Sequence, residues 1–168
     1  MKTAGVILAV ALAVALQTTL ARFLVRGTAV DLVLVAVVYV ALSLGPVPGL
    51  MAGTFAGLVQ DALSSGIIGI GGLAKSVVGF LSGVIGTQFI VAHSLPRFIV
   101  FFAATVVHAI VFMGLYTLLD IRHFGAPYAT VGGQGLGNAL VGVVAFKIVE
   151  LLPGAVERRR AQRGRLRR

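Results

Sequence analysis

The chain has 168 residues, of which 58% are hydrophobic and only 11% charged, and its mean hydropathy is +1.05. A soluble domain of this size has no use for so much apolar surface, so the composition indicates a polytopic membrane protein with room for one domain. The absence of cysteine excludes disulfides and cysteine-bound metal, and the net charge of +9 is concentrated in the C-terminal run RRRAQRGRLRR.

Apolar runs and their breaks predict an all-α protein of six transmembrane helices. The first covers Thr3–Leu24; Lys2 precedes it, but the run is long enough to span and reads as a helix rather than a cleaved leader. The second covers Asp31–Leu44 and is short for a bilayer. The third covers Pro46–Leu63, the fourth Gly72–Ala92, the fifth Pro96–Leu119 and the sixth Gly133–Leu152. Pro46, Pro48, Pro96, Pro127 and Pro153 fall at breaks or first turns, where proline is tolerated. Residues 1–152 are thus expected to form the membrane domain and residues 153–168 a basic tail. With an even number of helices both termini share one side. That side carries Lys2, Arg97 and the tail arginines, against Arg22, Arg26 and Arg122 on the other. The excess of positive charge places both termini in the cytoplasm.

A glycine ladder marks the third helix: Gly45, Gly49, Gly53 and Gly57, then Asp61 at the same spacing. Small residues four apart let helices approach closely, and the fourth helix offers Lys75, Gly79 and Gly83 at the same step. A four-residue step overshoots a helical turn by roughly 40°, so the stripe drifts and suits crossed helices. Gly45 belongs to the preceding turn. The glycine-rich segment 64–72 reads as loop, which puts Lys75 in the first turn of the fourth helix at the depth of Asp61. An ion pair between Asp61 and Lys75 is then expected to close the crossed unit. Each lone ion at mid-bilayer costs roughly 2.5–3.5 kcal/mol, which favours pairing, although snorkelling to water competes.

The other polar residues carry weaker signals. Gln17, Thr18, Thr19, Gln134 and Asn138 are expected to hydrogen-bond between helices. Lys147 and Glu150 lie within reach of each other. Asp31 and Asp120 fall at helix ends and read as solvated, and His108 stands without a titratable neighbour at helical spacing. There is no G-x-S-x-G, no H-E-x-x-H, no phosphate-binding loop and no metal-ligand spacing. The sequence therefore predicts no catalytic residue, no cofactor and no metal. The tail, with Arg158, Arg159, Arg160, Arg163, Arg165, Arg167 and Arg168, directly follows a membrane helix, so anionic lipid rather than nucleic acid is its expected partner.

The motifs LQTTL at 16–20, DLVLVAVVYVALSLG at 31–45, G-x3-G-x3-GL-x2-D at 49–61 and IIGIGGLAKSVVGFLSG at 67–83 resemble the rod shape-determining MreD family. The likeness covers 16–86. It departs at Val30, where a proline is expected before Asp31, and the last third matches only in character. The resemblance implies a non-enzymatic protein of the bacterial cytoplasmic membrane that belongs to the elongation machinery. It implies MreC, RodA and its class B penicillin-binding partner as neighbours, with MreB filaments linked indirectly. It also implies a fold similar to the substrate-binding membrane subunits of energy-coupling-factor transporters, with Asp61 and Lys75 as the polar motif residues. Two functions follow: a scaffold that binds partner membrane helices, or, in the alternative, a vitamin-binding subunit of such a transporter. A ligand pocket needs convergent polar and aromatic groups, and a chain without Trp offers few of them.

Overall fold

A computed structural model describes residues 10–19, 30–64, 67–89, 93–121, 124–125 and 127–165, with side chains described as far as Leu151. These residues form six helices and no strand: α1 (Val10–Thr19), α2 (Leu32–Leu44), α3 (Pro46–Leu63), α4 (Ile70–Gln88), α5 (Ser94–Leu118) and α6 (Tyr128–Arg165). Among them, Ile70–Gln88, Ser94–Leu118 and Tyr128–Leu151 are long and apolar enough to cross a membrane.

Local chemistry sets the helix boundaries. Asp31 caps α2, its Oδ1 accepting the Leu34 N–H at 2.9 Å. Gly45 ends α2 at φ 98°, a conformation that side chains resist, and Pro46 opens α3 at once. Gly69, in the left-handed region at φ 110°, precedes α4. The fourth helix therefore starts at Ile70, two residues before the predicted Gly72. The sixth departs further from expectation. It starts at Tyr128 rather than Gly133 and runs through Pro153 to Arg165 instead of ending at Leu152. A proline inside a helix deprives one turn of a hydrogen bond without necessarily ending it. The tail arginines Arg158 to Arg168 lie outside the residues whose side chains are described.

Helix α2 sits at the centre. Its segment LVLVAVVYVALSL is apolar on every side, the pattern of a helix buried all round. Val33, Val37 and Val40 join Val10 and Val14 of α1 and Ala52 and Ala56 of α3 in one core. Leu34, Val35 and Val38 join Val78 of α4, Phe101 and Ala104 of α5 and Ala139 of α6 in a second. At 13 residues, α2 is only about 20 Å long, short of a hydrocarbon layer of about 30 Å. One of its ends must therefore lie among other helices rather than at the membrane surface, and that end carries Asp31.

Candidate functional site

Helices α3 and α4 pack backbone to backbone. A methyl group on Gly53 would overlap the Lys75 carbonyl, and one on Gly57 would come within 2.5 Å of the Gly72 Cα. Gly49 and Gly79 lie against each other's carbonyls, and Gly83 lies against Pro46 and the Gly45 carbonyl carbon. The seam therefore reaches the turn, and Gly45, which the sequence reading set apart from the contact, takes part in it. Between the glycines, the Thr54 and Ser76 hydroxyls approach to 2.6 Å across the seam.

The ion pair expected between Asp61 and Lys75 is not formed. Asp61 instead caps α4: its Oδ2 accepts the Gly69 N–H at 2.9 Å and the Gly72 N–H at 3.1 Å. Those donors are among the groups that a helix N-terminus leaves unpaired, and the helix dipole there favours negative charge. Gly71 makes room for the carboxylate, since a methyl group there would collide with it. Because α4 begins at Ile70, Lys75 lies more than a turn inside the helix, deeper than the first turn that the sequence reading assigned it. Its backbone faces α3 while its ammonium reaches α2 and α5.

Lys75 Nζ lies 3.0 Å from Asp31 Oδ2 and 3.2 Å from His108 Nε2. With Lys75 as an ammonium, which only donates, the contact has His108 accepting through Nε2. Asp31 is 6% exposed and Lys75 3%. The sequence reading of Asp31 as solvated is thus overturned, and so is the isolation of His108. Periodicity along one helix cannot reveal a neighbour supplied by another. One signal was present: a helix too short to span buries its own N-cap.

A hydrogen-bond chain extends this centre. The Asp31 backbone N–H donates to Asn138 Oδ1 at 2.7 Å, and Asn138 Nδ2 donates to Thr105 Oγ1 at 3.0 Å. Thr105 in turn donates to the Phe101 carbonyl at 2.9 Å. On the other flank Gln17 Oε1 accepts the Leu32 N–H at 2.9 Å, while its Nε2 donates to the Val30 carbonyl at 3.2 Å. Side chains from α1 and α6 thus satisfy backbone donors that the buried start of α2 would otherwise leave unpaired. The expected interhelical bonding holds for Asn138, and Gln17 binds the backbone at the head of α2. Thr18 and Thr19 instead donate to carbonyls of their own helix.

At the opposite end of the bundle, Arg97 is 8% exposed. Its Nη2 lies 2.6 Å from Glu150 Oε1, and its guanidinium stacks 4.3 Å above the Phe146 ring. Phe146 also contacts Tyr39, with centroids 4.4 Å apart. Glu150 therefore joins α6 to α5 through Arg97, and Lys147, the neighbour that the sequence offered, also acts on it electrostatically. Among the described residues, no three His, Cys, Asp or Glu side chains converge as metal ligands.

These features define an all-helical membrane protein organised around an internal polar centre and a glycine seam. A family model described as rod shape-determining protein MreD matches residues 2–152, and the chain belongs to that family. Its role accordingly lies in rod-shape determination. The match runs to residue 152, into the last third of the chain where the motifs alone were uninformative, and gives no support to the transporter alternative. No curated protein and no solved structure matches the chain.

Proposed function

We propose that the protein is a non-enzymatic, multi-pass scaffold of the bacterial cytoplasmic membrane, with six spans and both termini in the cytoplasm. Its partners in this reading are MreC, RodA and the class B penicillin-binding partner of RodA, with MreB filaments joined indirectly. The family match over residues 2–152 carries the proposal. The polar centre supports it: the Asp31, Lys75 and Asn138 side chains are engaged with one another, His108, Thr105 and the head of α2. Such a network orients helices rather than presenting groups to a substrate. The seam supports it too, because backbone-to-backbone contact of α3 and α4 gives a stiff unit on which partner helices can rest. In this reading the glycines from Gly49 to Gly83 act on partners through that stiffness, and the basic tail holds anionic lipid.

Copurification from cells in mild detergent tests the reading. Recovery of MreC and the cell-wall synthases is expected. An ATPase with a coupling subunit, recovered in their place, would overturn it.

A further inference from the structure

Helix α4 has a second working face. Gly79 and Gly83 hold it against α3, while Val78, Ser82 and Ile85 border a groove shared with α5. The groove encloses about 210 Å³ and follows α5 from Val100 to Val107. That is a length of about 10 Å, or two helical turns. Leu81 and Ala103 form its exposed rims. Ser82 is the polar member of the described lining and is 3% exposed. Ser76 and Thr105 donate to carbonyls four residues back in their own helices. The Ser82 hydroxyl makes no such bond, nor one to any other described residue. Unlike the Gln60 oxygen, which is unpaired and sealed, it keeps access to the groove.

We infer that this groove receives a membrane-spanning helix of a partner protein, and that this helix presents a serine, threonine, asparagine or glutamine side chain to Ser82. The inference rests on the scaffold reading and names the face at which a partner docks. Depth decides the class of occupant. Ser82 lies 12 residues after Ile70 and 6 before Gln88, about 18 Å and 9 Å from the two ends of α4. With α4 across a hydrocarbon layer of about 30 Å, no headgroup reaches that level, and an acyl chain leaves the hydroxyl unpaired. A helix crossing the groove brings both a ridge of side chains and a polar group, and hydrogen bonds of this kind join helices in membranes. The volume falls below the range of small-molecule pockets, about 300–1,000 Å³, and suits inserted side chains better than a ligand. A second copy related by a two-fold axis at this face sets hollow against hollow, so the occupant is a different chain. Because the glycine seam braces α4 from behind, the groove wall does not give way when a helix presses into it.

Photo-crosslinking of the full chain in its own membranes tests this. The photoreactive residue p-benzoylphenylalanine replaces Ala103 on the rim or, as a control, Phe55, which is exposed on α3. Adducts are probed for MreC, RodA and the class B penicillin-binding protein and mapped to peptides. The Ala103 probe is expected to join a transmembrane peptide of one of these three, and the Phe55 probe is not. In solubilised membranes diluted to half-maximal crosslinking, Ser82→Ala should lower the yield about threefold, the scale of one interhelical hydrogen bond. The same substitution should leave the Tm of the isolated chain unchanged, since the hydroxyl bonds nothing within it. Adducts with lipid alone or with a second copy of this chain overturn the inference. So does a Ser82→Ala yield equal to that of the unaltered chain, or a lowered Tm, which marks the hydroxyl as structural. If the three proteins copurify but the Ala103 probe joins none of them, the inference fails and the scaffold reading stands. If none of them copurifies, both fail.

Discussion

Replacing Lys75 by Met removes the ammonium and leaves the Asp31 carboxylate buried without its counter-ion. Breaking a buried ion pair from one side costs about 3–5 kcal/mol, because the remaining charge stays desolvated. Both side chains here are less than a tenth exposed, so little solvent screening reduces that cost. At about 2–4 °C per kcal/mol for a chain of this size, Lys75→Met should lower the Tm by ~6–20 °C. Asp31→Asn preserves the cap on α2, since Asn serves at that position as well as Asp. The double variant Asp31→Asn with Lys75→Met is then neutral and capped, and it should recover much of the loss. Thermal unfolding followed by far-UV circular dichroism in one detergent gives the cycle. A coupling of about 2–3 kcal/mol is expected between Asp31 and Lys75. The same cycle with Asp61→Asn should be additive within about 0.5 kcal/mol, because Asp61 spends its carboxylate on the start of α4. Coupling of Lys75 to Asp61 rather than Asp31 would refute the assignment of partners.

Gly53→Ala drives a methyl group into the Lys75 carbonyl, so a loss of about 1–3 kcal/mol in unfolding free energy is expected. Gly132→Ala serves as its control: open space surrounds that position on α6, and a gain of about 0.5–1 kcal/mol should follow from helix propensity alone. Asp61→Ala removes the cap of α4 and should cost about 0.5–2 kcal/mol, with faster amide exchange confined to the first turn after Gly69. Asn138→Leu leaves the Asp31 N–H without its acceptor; a loss of about 1–3 kcal/mol, measured by the same thermal unfolding, is expected.

How far the sequence reaches differs from residue to residue. The third helix is predicted and observed over the same span, Pro46–Leu63, because a turn glycine, a proline at N1 and a loop bound it. The sixth is not. Its first turns through Ala129 and Thr130 lie beyond a glycine cluster that reads as a boundary, and no local signal shows that Pro153 is carried within a helix. The glycine seam was legible because four-residue spacing is a property of one helix, so its two halves can be read separately and matched. Asp31, Lys75, His108 and Asn138 come from four helices, and no spacing within any one of them encodes their meeting.

The sequence by itself determined the membrane class, the number of helices, the family likeness and the glycine stripes, since hydropathy and periodicity are local quantities. The tertiary structure alone decided the partner of Lys75. A charge in an apolar interior takes the nearest group that can desolvate with it. That distance depends on how deep α2 begins and which way the second turn of α4 faces. The buried Asp31 therefore displaced the more conspicuous Asp61, which was already committed to capping a helix.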